Sequence, residues 1–157
     1  MSESETKPKT KYYSRFEHGL DEKRRVPIPV RWRPEEENAQ LSVVVWPQHQ
    51  AGPCLRVLRP VEFEDMVAKV EAKPDSDPEK VLLRRHIGSD SDQLTVDKAG
   101  RIVIPDHMAR AAGIQDKAVF AGCVDYFEIW SPSKYENFKA LDMKPLGDAL
   151  GKLGYNL

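Results

Sequence analysis

A short motif occurs twice in this chain, in the same register. Residues 21–29 read DEKRRVPIP and residues 97–105 read DKAGRIVIP. A second match, LRVLRP at 55–60 against FEIWSP at 127–132, recurs at a slightly shorter offset. Repetition of this kind indicates one small structural unit that is present twice. Each copy is too short to bury a large core alone, so the two copies are expected to fold against each other.

The repeat divides the chain into five segments. Residues 1–11 are polar and lack apolar anchors, which predicts a disordered tail. The other segments are a first repeat at 12–72, a linker at 73–78, a second repeat at 79–141 and a C-terminal extension at 142–157. Three glycines and a proline in the extension leave its conformation open.

Both repeats have the same predicted order, which is strand, tight turn, strand, short helix, two strands and helix. The predicted strands are 12–20, 25–28, 41–46, 54–58, 93–96, 101–104, 117–122 and 126–130, and the predicted helices are 30–37, 60 to about 70, 78 to about 85, 106–112 and 132–141. Many short strands with few helices predict a mostly β architecture, either an antiparallel barrel or an interleaved sheet with peripheral helices.

Charge is distributed unevenly along the chain. The net charge is −1, which argues against a uniformly basic surface. Residues 7–33 nevertheless carry nine Lys or Arg side chains against three acidic ones. A local excess of this size attracts polyphosphate, although a solvated basic face is the simpler alternative.

The repeated motif contains an Asp-x-x-x-Arg pair that spans a tight turn. The carboxylate of Asp97 can hold the guanidinium of Arg101 in one orientation, and Asp21 can do the same for Arg25. A guanidinium held in this way reads guanine or clamps phosphate through two hydrogen bonds. A single such pair is more simply a local ion pair of the turn. Two copies, each followed by Ile-Pro, favour a binding function.

DKAGRIVIP followed by a short helix, present twice within about 150 residues, resembles the MraZ family of bacterial transcriptional regulators, in the AbrB-like swapped-hairpin group. The second copy matches from Leu94 through Trp130, and the first matches at residues 17–18, 21, 25 and 28–29. The resemblance implies two swapped-hairpin repeats that form a pseudo-symmetric, double-psi-like β-barrel. It also implies a closed ring of several copies, whose many motifs would match short direct repeats in double-stranded DNA.

Further expectations follow from the same resemblance. The chain would bind promoter repeats upstream of the division and cell-wall gene cluster, as a repressor in the cytoplasm associated with the nucleoid, without a cofactor, a small-molecule substrate or a membrane. Arg25 and Arg101 would contact bases or phosphates and would be oriented by Asp21 and Asp97. The expected DNA-binding residues are therefore Asp21, Lys23, Arg24, Arg25, Asp97, Lys98 and Arg101, in which Lys23, Arg24 and Lys98 supply phosphate attraction.

The first copy departs from the family pattern at two positions. Arg24 stands where the family has glycine, and a non-glycine residue at positive φ costs about 1 kcal/mol, so the turn is expected to be reshaped. Pro27 lacks a backbone N–H, which predicts an edge or irregular strand.

Other kinds of site are disfavoured by the sequence. The four histidines, His18, His49, His86 and His107, have no metal-ligand spacing, and no nucleophile–base arrangement of an enzyme is visible. Cys54 and Cys123 lie far apart, which favours reduced structural thiols. No apolar run is long enough to span a bilayer, and the N-terminus lacks the apolar core of a secretory signal. Most aromatic residues occupy core-like positions, but Trp32, between Arg31 and Arg33, also fits an exposed side chain.

Two other functions remain open. The chain could be an antitoxin-like DNA-binding protein whose extension at 142–157 occupies a toxin. It could also be an oligomeric scaffold that binds no DNA, in which both Asp-Arg pairs are only turn ion pairs.

Overall fold

The computed structural model describes residues 9–47 and 49–155. The predicted disordered tail at 1–11 therefore lies mostly outside the described residues, as does the end of the C-terminal extension. The strands are β1 (Arg15–Gly19), β2 (Arg25–Pro27), β3 (Gln40–Trp46), β4 (Cys54–Leu58), β5 (Ser91–Thr95), β6 (Arg101–Val103), β7 (Lys117–Gly122) and β8 (Phe127–Trp130). The helices are α1 (Pro60–Glu71), α2 (Pro78–Ser89), α3 (Asp106–Ala112) and α4 (Pro132–Lys152).

The strands are arranged with an approximate two-fold symmetry that exchanges the repeats. Six strands form one sheet in the order β1-β7-β8-β4-β3-β5, and β2 pairs with β6 in a separate two-stranded ribbon. The first strand of each repeat thus pairs with a strand of the other, β1 with β7 and β5 with β3. In the described ranges β1 and β5 are the edges of the sheet, and hydrogen bonds do not close it into a barrel. The expected β architecture with peripheral helices is confirmed.

One main core lies between the sheet and the ribbon. Alternation along β4 places Leu55 and Val57 in this core and Cys54 on the opposite face. The ribbon contributes Val26 and Ile102, both fully buried. A second, smaller apolar cluster fills the space between the opposite face of the sheet and α4. Both repeats therefore contribute to each core, as expected for units too small to fold alone.

The helix boundaries follow the capping signals in the sequence. Asp77 caps α2 by accepting a hydrogen bond from the Glu79 backbone N–H at 2.9 Å, and Pro78 is the first helical residue. Gly113 ends α3 in the left-handed region at φ 71°. Ser131 caps α4 through the Lys134 backbone N–H at 3.3 Å.

Three local expectations are wrong or incomplete. The segment predicted as a helix at 30–37 forms one 3-10 turn, Val30–Trp32, because Pro34 cannot continue a helix. Trp32 is 2% exposed, so the alternative of a solvent-exposed side chain is excluded. Helix α4 crosses the predicted boundary at residue 141 and continues to Lys152 with Pro145 inside it. In the described part of the chain, no helix combines the length and the apolar character that crossing a membrane requires.

Candidate nucleic-acid interface

The two motif copies form turns with the same backbone hydrogen bonds. In the first turn, the Asp21 N–H donates to the Arg25 carbonyl at 3.0 Å, and the Arg24 N–H donates to the Asp21 carbonyl at 2.9 Å. In the second turn, the Asp97 N–H donates to Arg101 and the Gly100 N–H donates to Asp97, both at 2.9 Å. The expectation that Arg24 reshapes the first turn is therefore wrong.

The aspartate side chains organise these turns. Oδ1 of Asp97 accepts the backbone N–H groups of Ala99 and Arg101, both at 2.9 Å, and Oδ2 accepts Nε of Arg101 at 3.0 Å. Asp21 makes the same set of contacts, with Oδ2 at 2.6 Å from Nε of Arg25. Each carboxylate thus uses one oxygen for the backbone and the other for the guanidinium.

Only Nε of each arginine is used in this way. Within residues 9–47 and 49–155, the terminal nitrogens of Arg25 and Arg101 make no hydrogen bond to protein atoms. The two side chains are 33% and 35% exposed. Each turn therefore presents a half-exposed guanidinium that is fixed at one end and retains its paired donors for a ligand.

The ribbon places both arginines on one surface. Val26 is opposite Ile102 in the ribbon, and both side chains face the core. Because side chains alternate along a strand, the flanking residues Arg25 and Arg101 lie on the outer face. Arg25 is opposite Val103, and Arg101 is opposite Pro27. This register separates the two arginine Cα atoms by roughly 8 Å, given the usual rise and strand spacing.

Strand β2 pairs only with β6 among the described strands. It is therefore an edge strand, as Pro27 predicts.

Hydrogen bonds lower the pKa of both turn carboxyls. The backbone N–H of Arg101 is the largest cause of the lowered pKa of Asp97; desolvation is the second-largest and opposes it, and the Arg101 side chain and the Ala99 N–H lower the pKa further. The pKa of Asp21 is lowered in the same way, first by the backbone N–H of Arg25. Ionised carboxylates therefore stabilise both turns above the ordinary pKa of Asp. That contribution is lost as the pH falls through the lowered pKa.

This order of causes predicts the result of a carboxyl titration by NMR. Alanine at position 101 retains the backbone N–H but removes the guanidinium. In Arg101→Ala we expect the pKa of Asp97 to rise and yet to stay below the ordinary value. The pKa of Asp21 serves as the internal control and should not change. A pKa of Asp97 that is the same in both proteins would show that the guanidinium does not contact the carboxylate in solution.

The seven residues predicted from the sequence all lie in these two turns. Two residues that contact the turns, Asp106 and Arg33, were not predicted from the sequence. Nη2 of Arg24 lies 2.8 Å from Oδ1 of Asp106, the first residue of α3 in the other repeat. The Arg33 side chain covers Gly100, where an added Cβ would lie 2.4 Å from Nε of Arg33. Arg33 is visible in the sequence as part of the basic segment, but its contact with Gly100 depends on pairing between the repeats, for which the sequence holds no local signal.

The opposite face of the sheet carries a partly buried ion pair. Nη2 of Arg56 lies 2.9 Å from Oε2 of Glu128, and its guanidinium stacks on the rings of Trp46 and Tyr126. Cys54 and Cys123 lie in the same region as free thiols. Burial raises the pKa of both, that of Cys123 to about 12, so neither thiol is an activated nucleophile at neutral pH.

The chain is similar to one family model and to several proteins that share one name. A family model described as "MraZ protein, putative antitoxin-like" matches residues 89–146. The "Transcriptional regulator MraZ" of Caulobacter vibrioides (strain NA1000 / CB15N) is 31% identical over 129 residues, 82% of each chain. The protein of the same name from Roseiflexus castenholzii (strain DSM 13941 / HLO8) is 32% identical over 126 residues, 80% of this chain and 85% of its own. That of Mesoplasma florum is 27% identical over 128 residues, 82% of this chain and 85% of its own.

The similarities to the Caulobacter and Roseiflexus proteins extend over about four fifths of the chain, which is more than either repeat alone. The resemblance drawn from the two motif copies is therefore confirmed, and the chain belongs to the MraZ family.

Proposed function

We propose that this protein is a transcriptional regulator that binds double-stranded DNA through the outer face of the β2–β6 ribbon. The observation that carries the proposal is the pair of Asp-Arg turns with the same hydrogen-bond pattern on that face. Both arginines are fixed at Nε, and their Cα atoms are roughly 8 Å apart by the register of the ribbon. A two-stranded ribbon fits the major groove of B-DNA, where a guanidinium can bond both acceptors of guanine. The names of the relatives support the same function.

Each residue of the surface has a proposed role. Arg25 and Arg101 contact bases or phosphates through their terminal nitrogens, and Asp21 and Asp97 orient them. Lys23 and Lys98 are exposed in the turns and supply electrostatic attraction to the backbone. Arg24 belongs to the same surface through its ion pair with Asp106.

The finer features of the family are proposed for this chain as well. Repression of the division and cell-wall genes through short direct repeats, a place in the nucleoid and a ring of several copies follow from the resemblance. The exchange of β1 and β5 between the repeats supports a swapped-hairpin arrangement of the double-psi type. Exposed apolar side chains support self-association, among them Leu82 on α2 and Met143 and Leu146 on α4.

A fluorescence-anisotropy titration tests the proposal. The wild-type protein is titrated onto a labelled duplex with several short G-rich direct repeats and onto a scrambled duplex, at about 50 and 200 mM salt. We expect at least about tenfold tighter binding to the repeats and weaker binding to both duplexes at the higher salt. Equal, salt-independent binding to the two duplexes would contradict the proposal and favour the scaffold.

The antitoxin-like alternative rests on a different observation. Helix α4 buries no residue completely and carries exposed apolar side chains, such as Met143 and Leu146. A partner protein could cover that surface. Purification of this chain from its own cells would then yield a second, unrelated protein in stoichiometric amount, whereas the regulator proposed above would be recovered with copies of itself alone.

A further inference from the structure

The two turns differ at the position that needs a positive φ. Gly100 occupies it in the second turn at φ 78°, and Arg24 occupies it in the first at φ 60°. Glycine adopts this conformation without steric cost, whereas arginine does not. The first turn nevertheless has the same hydrogen bonds as the second. Contacts of the first turn with the rest of the fold, among them those of the Arg24 side chain, therefore offset the backbone cost.

The Arg24 side chain crosses from one repeat to the other. Its Nη2 lies 2.8 Å from Oδ1 of Asp106, and the other carboxylate oxygen of Asp106 binds Arg110. The Arg24 carbonyl also accepts the Ile104 backbone N–H at 3.0 Å. Both the backbone and the side chain of residue 24 are thus tied to the segment that leads from β6 into α3.

A reciprocal contact ties the second turn to the first repeat. Nε of Arg33 donates to the Ile28 carbonyl at 2.8 Å, and the same side chain lies over Gly100. The Ile28 N–H in turn donates to the Gly100 carbonyl at 2.9 Å. A side chain at position 100 would displace Arg33 from its present position, so glycine serves this contact as well as the positive φ of the second turn.

These contacts act on a ribbon that is weak by itself. Strands β2 and β6 have three residues each, and a two-stranded ribbon of this length is marginal without support. Arg25 directly follows Arg24, so a displacement of residue 24 relative to α3 changes the distance between Arg25 and Arg101.

We propose that Arg24 is a positioning residue: its ion pair with Asp106 fixes the first turn against α3 and so sets the separation of the two arginines that read DNA. This inference rests on the proposed function. Because Asp106 already neutralises the Arg24 guanidinium, its effect on DNA is exerted through Arg25. Arg24 thereby determines which spacing of bases or phosphates the two arginines can engage together, and hence sequence preference more than overall affinity.

A direct phosphate contact by Arg24 is the competing role, and the two roles predict opposite effects of Asp106→Asn. If Asp106 fixes Arg24, then the loss of the Asp106 charge frees the Arg24 side chain and lowers the preference for repeats. If Arg24 binds phosphate, removal of its competitor Asp106 strengthens binding to any duplex, because one more positive charge becomes available.

The experiment compares wild type, Arg24→Gly, Asp106→Asn and the double variant in the two-duplex titration at two salt concentrations. Arg84→Ala is the matched control, since Arg84 is also an arginine paired with a carboxylate, Glu71 at 3.1 Å, but lies on α2.

We expect the preference for repeats to fall about tenfold in each single variant. The preference for repeats of the double variant should be no lower than that of either single variant, because both substitutions remove the same ion pair. The salt dependence should stay unchanged. Glycine suits the positive φ at this position, so Arg24→Gly should retain its thermal midpoint.

Three results would overturn the positioning role. The first is stronger binding of Asp106→Asn to both duplexes. The second is an equal loss for both duplexes in Arg24→Gly, with a shallower salt dependence. The third is an unchanged preference in both variants. A wild-type protein without preference for repeats would instead contradict the proposed function, and the positioning role would fail with it.

Discussion

Replacement of both Arg25 and Arg101 by alanine is expected to abolish the preference for repeated DNA. A guanidinium that bonds two acceptors of one base contributes about 1–3 kcal/mol of discrimination, or about 5- to 150-fold for each arginine. The two turns share one hydrogen-bond pattern, so each single variant should lose a comparable factor. Weak, salt-sensitive binding to both duplexes should remain, because Lys23 and Lys98 are still present.

The matching lysine variant distinguishes two contributions of the arginines: paired hydrogen bonds from a planar guanidinium, and the attraction of a positive charge alone. Arg25→Lys with Arg101→Lys retains both positive charges but cannot bond two acceptors in one plane. We expect this protein to keep the salt dependence of the wild type while its preference for repeats falls nearly as far as in the alanine variant. Arg84→Ala controls for the loss of an exposed arginine elsewhere, and circular dichroism controls for folding. Retention of full preference in the double alanine variant would exclude these turns as the reading surface.

The largest expected effect on stability comes from Trp32. Its ring lies 5.6 Å from that of Tyr12, 5.3 Å from Phe16 and 5.1 Å from Phe127, centroid to centroid, and it is 2% exposed. Truncation of such a side chain to alanine lowers the free energy of unfolding by about 3–5 kcal/mol, through lost burial and the cavity left behind. Urea denaturation followed by circular dichroism measures this change.

Val30→Ala is the control for the Trp32 measurement, because Val30 lies in the same turn and is 75% exposed. Its effect should stay within about 0.5 kcal/mol. A loss below about 1 kcal/mol in Trp32→Ala, well under the cost of emptying a core site, would mean that this ring does not pack in the core in solution. Base stacking would then become a realistic role for it.

Local structure could be predicted from the sequence to a large extent. The bounds predicted for strand β7, Lys117–Gly122, are those observed, because a dense apolar run is flanked by polar residues. Helix α3 lies between Asp106 and Gly113 as predicted, since glycine ends helices in the left-handed region. Among the predictions of local structure that were wrong is the end of helix α4. Helix α4 continues past Pro145, where the sequence contains several residues that disfavour helices but no defined stop.

The seven predicted site residues rest on the repeated motif and on the family resemblance that it carries, and the structure places all seven in the two turns. Repetition could not predict Asp106 or Arg33 as part of the same surface. Asp106 belongs to the second repeat and contacts Arg24 of the first, while Arg33 belongs to the first and covers Gly100 of the second. Pairs so far apart in the chain meet only because the repeats exchange strands. The alternation of apolar and polar residues along a strand shows which face is buried, but it does not show which other strand it pairs with.

The sequence by itself determined the unit: a turn closed by an aspartate and an arginine and followed by a short strand, present twice. Those features depend on contacts within a few residues, such as the bonds from Asp97 to the N–H groups of residues 99 and 101. The tertiary structure decided how the two units combine, including the burial of Trp32 and the tolerance of Arg24 at a positive φ. Those outcomes depend on long-range contacts between the repeats, whose free energies exceed local preferences once both copies share one core.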